Sequence, residues 1–374
     1  MDEYNLQRLA GYLREQRISA ALLSNPATLT WLTGYAPEIE TGLSPFEGGP
    51  ALSWWHEGAL TLVVSDQEAS AAQCHGVEVV PYLSYTFEQR LAGLQRQVQA
   101  LGELLARNAH LTGRVGVEMG FLPAAIAAAL RESLPHAEFR DLDGSFDVLR
   151  AVKSREEIGK VRSALKLCDH AQDYIRLNAV AGTSELELWG RVRGYMEAIA
   201  GTRLPIQADL VAGKRAANVG GPPSGYTIQD GDVLIFDVVP RVDGYWGDNA
   251  ATYFIGEPAP ELRKAYSLVW SALKRAIDAI RPGIKAGDLD QMMRLAIRDK
   301  GYQPYPHHSG HGVGTTYHEE PRIVPYSGLV LEPGMVLAVE PGIYLPGLGG
   351  VRLEEVVLLT ADGCEILTKH LLDA

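Results

Sequence analysis

The sequence predicts an α/β domain over residues 1–150, followed by an α+β domain over residues 151–374. Three observations support this prediction. The chain has 374 residues, which is long for a single hydrophobic core and suggests two domains. Its first part alternates helical patterns with short apolar runs. A helix-capping signal near Ser154 then opens a second part, in which helices alternate with strands and glycine-rich segments.

The first domain is predicted from the order of its elements. Apolar side chains at helical spacing predict helices over Glu3–Gln16 and Phe87–Arg107. Four short apolar runs are predicted to be strands: Ala20–Ser24, Leu60–Ser65, Val77–Tyr82 and Val115–Gly120. This part of the chain contains no G-x-G-x-x-G sequence, so no dinucleotide-binding turn is expected.

The second domain begins with a capping box. Ser154 and Glu157 have the spacing that lets a serine hydroxyl and a glutamate carboxylate satisfy the first free N–H groups of a helix. That helix is predicted to run to about Leu177 on periodic apolar residues. Two more helices are expected over Ser184–Ile199 and Glu261–Ile280. The strands between and after them should form a sheet that carries acidic residues.

A hairpin in this domain carries the first two candidate ligands. The strand-like sequences LIFDVV and ATYFI flank the dipeptide Asp243-Gly244, which is a strong signal for a two-residue turn. That turn pairs Asp248 with Val239, so Asp237 and Asp248 become diagonal cross-strand neighbours on one face, with roughly 7–8 Å between their backbones. Two acids on an apolar ribbon call for a cation between them. The alternative is a surface turn with solvated acids.

Composition and charge narrow the class of partner. The net charge of −12 and the isoelectric point of about 5.4 argue against nucleic acid, which requires a basic surface, and favour small ligands. Cys74, Cys168 and Cys364 are far apart and odd in number, as expected of ordinary thiols in a reducing compartment. No apolar run approaches the roughly 18 residues of a membrane span. A soluble cytoplasmic protein without a membrane partner is therefore expected.

Three further acidic or imidazole side chains lie on or beside apolar strands. His311 lies among glycines in GHGVG, where a backbone can approach a crowded centre closely. Glu340 ends the apolar run MVLAV. Glu354 follows Arg352 by two residues, on the same strand face. Taken singly, the histidine could be structural, and the arginine and glutamate could form a surface pair.

The convergence of these residues favours metal chemistry. Four carboxylates and one imidazole in one domain need neutralisation if they are buried: Asp237, Asp248, His311, Glu340 and Glu354. An oxygen-rich set with one nitrogen suits two divalent ions, manganese, cobalt or zinc, in a hydrolytic centre. The chain contains no H-E-x-x-H zinc sequence, no P-loop and no G-x-S-x-G nucleophile turn.

The ordered motifs resemble those of the pita-bread-fold metallopeptidases, in particular the prolidase and aminopeptidase P branches. The resemblance spans both domains. It consists of the two aspartates of the hairpin, then GHGVG with a second histidine seven residues on, then EPGIY and GVRLE. The segment Asn25–Tyr35, NPATLTWLTGY, also resembles the opening of these proteins, although this match is less specific.

The resemblance implies a fold, an activity and a set of roles. It implies a creatinase-like first domain and a pita-bread catalytic domain, acting as a homodimer on small peptides with an Xaa-Pro bond. The five residues named above would hold two metal ions, and Glu340 would also act as general base on a water between them. His318 would assist the tetrahedral intermediate, and His307 would line the substrate pocket. Arg352 and Tyr344 would orient ligands or substrate, although Tyr344 could also be structural.

The chain departs from the family pattern in three places. Gly220 stands where these peptidases carry another substrate-contacting histidine. The sequences Asp237-Val238-Val239 and Ala250-Ala251-Thr252 replace D-x-G and Thr-Arg-Thr. No metal ligand is lost, but the missing imidazole puts the proline specificity in question. Ser224 and Tyr226 follow closely, on a loop stiffened by two prolines, and are predicted to replace the lost donor.

Three functions therefore remain open. We rank an Xaa-Pro dipeptidase first, with an Xaa-Pro aminopeptidase as its close variant. A metal-dependent hydrolase of another small amide ranks second. A catalytically silent binding scaffold ranks third, because five intact ligands would have no use in it, and the metal-free creatinase branch is disfavoured for the same reason.

Overall fold

The computed structural model of the chain describes residues 2–39, 48–73 and 75–371. Cys74, one of the three predicted thiols, lies outside the described residues. The chain divides into two compact units, Met1–Leu149 and Arg150–Ala374, and each is described by itself. Among the helices of the described ranges, none is both long and apolar enough to cross a membrane.

The first unit is built around a mixed six-stranded sheet. In chain order its elements are α1 (Glu3–Glu15), β1 (Ile18–Leu23), α2 (Pro26–Thr33), β2 (Leu52–His56), β3 (Ala59–Ser65), α3 (Ala69–Gln73), β4 (Glu78–Tyr82), α4 (Gly93–Ala106), β5 (Gly113–Val117), α5 (Ala124–Ser133) and β6 (Ala137–Asp141). The strands lie in the order β4-β3-β2-β1-β5-β6. The β1–β2 and β2–β3 pairs are antiparallel, and the other three are parallel.

Each face of this sheet carries its own core, as expected of an α/β domain. One cluster joins Leu9 and Leu13 of α1 and Trp31 of α2 to the sheet, and the other joins Leu101 of α4 and Ile126 of α5 to the opposite face. The predicted strands and the helix α1 are confirmed. The segment NPATLTWLTGY contains α2, which begins with a side-chain cap from Asn25.

The predicted start of α4 was wrong. The helix begins at Gly93 rather than at Phe87, and Ala92 at its N-cap offers no side-chain hydrogen bond. The side chain of Phe87 is 88% exposed, so it has no apolar surface to pack against. Apolar spacing alone extended the prediction into a segment that tertiary packing does not hold in a helix.

The second unit contains four long helices and eleven strands within its described residues. In chain order, after α6 (Asp147–Ala151) at the division, its elements are α7 (Arg155–Asn178), α8 (Glu185–Ala200), β7 (Ile206–Ala212), β8 (Val233–Val242), β9 (Tyr245–Trp246), β10 (Asn249–Phe254), α9 (Pro260–Ala279), α10 (Ala286–Arg298), β11 (Gly310–Gly312), β12 (Glu319–Ile323), β13 (Val336–Val339), β14 (Gly342–Leu345), β15 (Gly349–Arg352), β16 (Glu355–Leu359) and β17 (Cys364–Ile366).

Two antiparallel sheets and a hairpin make up the β structure of this unit. One sheet has the order β10-β8-β7, with β9 paired to β8, and the other has the order β12-β11-β13-β16-β17. The strands β14 and β15 form the hairpin. Helices α7 and α8 pack on the first sheet, and α9 and α10 share a core with β12, β13 and β16.

The three predicted helices of this unit are confirmed to within about two residues, which is the usual uncertainty of helix ends. The capping box that opens α7 is present, since the Ser154 hydroxyl accepts from the Glu157 N–H and the Glu157 carboxylate accepts from the Ser154 N–H. Helix α10 was not predicted.

Candidate metal centre and active site

The hairpin of β8 and β10 holds its two aspartates as predicted. Asp243 and Gly244 form the turn with positive φ angles of 49° and 82°, which suits a two-residue hairpin loop. The register runs without a shift from the Val242–Tyr245 pair to the pairs of Asn249 and Ala250 with β8. The acids therefore share one face of the ribbon.

The alternation of side chains along β8 decides which face that is. Leu234, Phe236 and Val238 pack against helices α7 and α8. Asp237 therefore projects from the opposite face, together with Val239, because successive side chains of a strand point to opposite sides. Apolar anchoring on the helix side thus fixes the direction of the carboxylate.

His311 is the middle residue of β11, a three-residue strand whose other two residues are glycines. A Cβ atom at Gly310 would lie 2.1 Å from the carbonyl oxygen of Ala338, and one at Gly312 would lie 2.2 Å from that of Glu320. Both glycines are therefore required by close backbone approach, as predicted. The register pairs His311 with Ala338 on β13, two residues before Glu340, and the Glu340 N–H donates to the Ser309 carbonyl at 2.9 Å.

Arg352 is the last residue of the hairpin strand β15, and Glu354 lies between β15 and β16. The Glu354 N–H donates to the carbonyl of Ala250 at 3.0 Å, next to the β8–β10 hairpin. The backbone of Arg352 makes two hydrogen bonds with the Thr252 hydroxyl, which accepts from the arginine N–H and donates to the arginine carbonyl. These bonds attach the third group of candidate ligands directly to β10.

These segments enclose one cavity of about 270 Å³. Its lining includes all five predicted metal ligands together with three residues predicted to act on the substrate: Asp237, Asp248, His311, Glu340, Glu354, His307, His318 and Arg352. Four of the predicted ligands are buried, and Asp237 is partly buried. The structure thus brings together side chains that are far apart in the sequence.

The geometry of His311 is that of a metal ligand. Its Nδ1 donates to the carbonyl of Gly312 at 3.0 Å, and burial lowers its pKa to about 3, so the ring is neutral. Its Nε2 therefore carries a lone pair, which faces Asp248 Oδ2 and Glu340 Oε1 at 3.5 Å each. Three acceptors face one another there, which is unfavourable unless a cation lies between them.

Two more oxygen atoms fit the same explanation. Asp237 Oδ1 and Glu354 Oε1 are buried and have no hydrogen-bond partner within the part of the chain that the structure describes. Buried carboxylate oxygens are costly when unpaired. Asp248, His311 and Glu354 also place one ligand atom each within 4.8 Å of one another. The donor set fits divalent cations that accept oxygen and imidazole ligands.

The pKa values of three of these acids show that their ionised forms are unfavourable without a cation. Burial raises the pKa of Asp237 to about 6, and the nearby charges of Asp209 and Glu340 add to it against the opposing effect of Arg352. Burial and the neighbouring carboxylates raise the pKa values of Asp248 and Glu354 well above the usual range. Like charges so close together resist ionisation, and bound cations would remove that penalty.

Glu340 behaves differently from the other three acids. Although burial opposes it, a hydrogen bond from His308 Nε2 to Glu340 Oε1 at 2.9 Å holds the pKa of Glu340 below its usual range. Glu340 is therefore ionised and can accept a proton or bind a cation. Sequence reasoning missed His308, because only the spacing of His307 from His311 matched the family motif.

His307 and Tyr344 form a pair at the cavity. Burial lowers the pKa of His307 to about 4, and its Nδ1 donates to the carbonyl of His308 at 2.7 Å. Its Nε2 is therefore free to accept from the Tyr344 hydroxyl at 2.9 Å. Arg294 holds the backbone of this segment, since its Nη2 donates to the His307 carbonyl at 2.5 Å. Tyr344 itself does not line the cavity, and it contacts the site through this hydrogen bond to His307.

His318 lies near the mouth of the cavity. Its ring centroid is 4.2 Å from that of His311 and 5.0 Å from that of His308, and its side chain is exposed. The next residue, Glu319, is buried and forms an ion pair with Lys153. This buried pair anchors the segment that carries His318.

Two predicted substrate residues are engaged elsewhere. The Ser224 hydroxyl donates to Glu185 at 2.7 Å, and the Tyr226 hydroxyl donates to Asp232 at 2.9 Å. Neither residue lines the metal cavity. The expectation that they replace the lost imidazole of Gly220 therefore lacks structural support, because local acids bind both hydroxyls.

Comparisons with known proteins identify the family of the chain. Residues 159–361 match Metallopeptidase family M24, and residues 5–152 match the Creatinase/Prolidase N-terminal domain. The chain is 30% identical over 369 residues to an Xaa-Pro dipeptidase of Pyrococcus furiosus, covering 97% of both chains. It is 31% identical over 377 residues to an Xaa-Pro dipeptidase of Lactobacillus delbrueckii subsp. lactis, covering 97% of this chain and 96% of the relative.

A solved structure gives the same result. The Xaa-Pro dipeptidase from Bacillus anthracis superposes with a TM-score of 0.84 at 26% sequence identity, covering 98% of this chain and 97% of that one. The predicted creatinase-like domain and pita-bread catalytic domain are thereby confirmed. The chain belongs to the M24 family of metallopeptidases.

Proposed function

We propose that this protein hydrolyses Xaa-Pro peptide bonds of small peptides, chiefly dipeptides, with two divalent metal ions. Asp237, Asp248, His311, Glu340 and Glu354 would hold the ions. One observation carries the proposal: the bare Nε2 of His311 faces two carboxylate oxygens, beside two further buried carboxylate oxygens that lack a partner among the described residues. Manganese, cobalt and zinc all accept this set of oxygen and imidazole donors.

Glu340 is the group best suited to move a proton. Bound metal ions would polarise the scissile carbonyl and make a water molecule more acidic. Glu340 would accept the proton of that water, because its carboxylate lines the cavity and lies 3.5 Å from His311 Nε2, beside the other candidate ligands.

His318 and Arg352 would serve the reaction in different ways. His318 is exposed to the cavity and lies against His311, so it can donate a hydrogen bond to the oxygen of the tetrahedral intermediate. Arg352 donates to Asp237 Oδ2 at 2.7 Å and so fixes the orientation of a carboxylate that would bind metal. It is a positioning residue in this proposal.

The substrate assignment draws on the relatives and on the wall of the cavity. Both sequence relatives compared above are named Xaa-Pro dipeptidases. His307 provides a polar group at the cavity and is held from behind by the Tyr344 hydroxyl, and Val219 and Val239 provide apolar surface. We therefore expect dipeptides with apolar first residues to be the best substrates.

One assay tests this proposal. Purified protein loaded with Mn²⁺ is offered Xaa-Pro dipeptides, longer Xaa-Pro peptides and dipeptides without proline. We expect the highest kcat/KM for an Xaa-Pro dipeptide. Preference for longer Xaa-Pro peptides would indicate an aminopeptidase, and faster turnover of a non-proline amide would indicate a hydrolase whose pocket no longer selects proline.

A further inference from the structure

Two acids lie directly opposite each other at the cavity wall. The register of β7 and β8 pairs Asp209 with Asp237, and like charges in such a pair repel. Arg352 resolves the conflict, since its Nη2 lies 2.7 Å from Asp237 Oδ2 and 3.0 Å from Asp209 Oδ2. One guanidinium nitrogen therefore joins a candidate metal ligand to a carboxylate outside the ligand set.

The carboxylate of Asp209 occupies the space next to Gly220. A Cβ atom at Gly220 would lie 1.8 Å from Asp209 Oδ2 and 2.6 Å from its Cγ. No side chain at position 220 can coexist with Asp209 in this orientation. Gly220, which stands where the family carries a histidine, therefore makes room for the carboxylate of Asp209.

Asp209 has capacity left to bind a ligand. It lines the metal cavity, and its side chain is 35% exposed. Among the described residues, its hydrogen bond from Arg352 reaches Oδ2, and no protein donor reaches Oδ1. An exposed carboxylate oxygen beside a metal centre can accept a cationic group of a bound molecule.

We propose that Asp209 recognises the free ammonium group of the substrate's first residue, from the space that a side chain at position 220 would otherwise fill. This inference rests on the proposed function, and it places the Asp209 carboxylate, rather than Ser224 or Tyr226, in the space where the family carries a substrate-contacting histidine. The ammonium nitrogen of a dipeptide is separated from its scissile carbonyl carbon by one carbon atom. A scissile carbonyl bound at the proposed metal centre therefore brings the ammonium close to the candidate ligand carboxylates. Asp209 lies there as well, since the same Arg352 nitrogen contacts both Asp209 and Asp237.

The charge of Asp209 also selects the direction of the substrate. A dipeptide carries an ammonium at one end and a carboxylate at the other. Asp209 attracts the first and repels the second, so the substrate carboxylate must lie away from β7. The Asp209 carboxylate also favours peptides with a free amino terminus over peptides whose amino terminus is acylated.

The test compares two substrates with one difference. Alanyl-proline and propionyl-proline have the same skeleton, but the second has hydrogen in place of the ammonium. Both are assayed with the Mn²⁺-loaded wild type and with Asp209→Asn, which keeps an oxygen near Arg352 and removes the charge. We expect kcat/KM for alanyl-proline to fall by roughly ten- to a hundredfold in the variant, mainly through KM, and that for propionyl-proline to stay within about twofold.

Two further variants sharpen the result. Gly220→Ala should displace the carboxylate and reproduce the loss, and the double variant with Asp209→Asn should be no worse than either alone, because both changes remove one interaction. Glu257→Gln is the matched control, since it neutralises an acid paired with Arg263 at the surface. It should leave kcat/KM unchanged for both substrates. Metal content and melting temperature are measured for every variant.

The outcomes are distinct. An equal loss for both substrates in Asp209→Asn would overturn the inference and leave Asp209 as a support for Arg352. An unchanged kcat/KM for alanyl-proline in Asp209→Asn would overturn the ammonium assignment. A metal-loaded wild type that cleaves no Xaa-Pro bond would overturn the proposed function, and this inference with it.

Discussion

The backbone of Gly310 lies so close to Ala338 that a Cβ atom at residue 310 would be 2.1 Å from the Ala338 carbonyl oxygen. The contact is between backbone atoms of two paired strands, β11 and β13, so neither a rotamer change nor a flexible side chain can relieve it. The next residue is His311. The position of the imidazole in the cavity therefore depends on the absence of one methyl group.

Gly310→Ala should lower both stability and metal binding. We expect the free energy of unfolding to fall by roughly 1–3 kcal/mol from overpacking, and metal content to fall because β11 shifts with His311. The matched control is Gly328→Ala, where a Cβ would meet nothing within 4 Å. Chemical denaturation and elemental analysis of both variants check this prediction, and equal behaviour of the two variants would contradict it.

The wild type should bind two divalent ions per chain. Four carboxylates around one imidazole carry more charge than one ion neutralises, and Asp248→Ala removes a buried member of the set. Elemental analysis after loading with Mn²⁺ should give about two ions in the wild type and fewer in the variant. A wild-type value near zero, unchanged in Asp248→Ala, would instead favour the binding scaffold.

Glu340→Gln should lose activity by at least about two orders of magnitude, because the amide can neither accept the proton of the attacking water nor carry the charge that binds metal. Glu332→Gln is the control, since it makes the same chemical change at an exposed residue outside the cavity. Initial rates at saturating Mn²⁺ measure the effect. Retention of near-normal rates in Glu340→Gln would rule out its role as general base.

His318→Ala should lower kcat by more than it lowers metal content. The imidazole is exposed at the cavity mouth, and it contributes to the reaction by donating to a developing negative charge. Single-turnover rates and metal analysis of the same samples separate the two effects. If the variant loses metal and keeps its turnover per bound ion, then His318 is the ligand and the roles of His311 and His318 are exchanged.

The metal-free protein should show a pH dependence that Asp237→Asn removes. The pKa of Asp237 is raised from an ordinary 3.8 to about 6, so the folded state binds more protons than the unfolded state between these values. Its contribution to stability is therefore fully present below pH 3.8 and is lost as the pH rises through 6. Relative to the wild type, Asp237→Asn should gain on the order of 2–3 kcal/mol between pH 4 and pH 7.

Urea denaturation in the presence of a chelator at both pH values measures this difference. Excess Mn²⁺ provides an independent check, because bound cations favour the ionised carboxylate and should stabilise the wild type more at pH 7 than at pH 4. A constant difference between the wild type and Asp237→Asn across this range would contradict the raised pKa.

The parts of the site that local sequence determines were predictable. The Asp243-Gly244 turn fixes the hairpin register, and the register fixes the face that Asp237 and Asp248 share. The capping box likewise marks the start of α7 because its two hydrogen bonds are local. In both cases a few adjacent residues contain the whole physical reason for the structure.

Other contacts, which depend on the pairing of distant strands, were not predicted. Asp209 reaches the cavity because β7 pairs with β8 and because Arg352, 143 residues further on, donates to it. Ser224 and Tyr226 were predicted to act at the site because they are near Gly220 in sequence. Their hydroxyls instead bind Glu185 and Asp232, which sequence spacing does not reveal.

The attachment of Arg352 to Asp237 also has a consequence for biosynthesis. The two residues are 115 positions apart, so a ribosome completes the β8–β10 hairpin long before it makes the arginine and the last carboxylate. In the proposed metal site, Asp237 and Asp248 alone would bind a divalent ion only weakly and reversibly, because two carboxylates supply few of the ligands that it needs. Glu354 joins them last, through the hydrogen bond from its N–H to Ala250. We therefore expect the proposed ions to be bound tightly only once synthesis of the catalytic unit is complete.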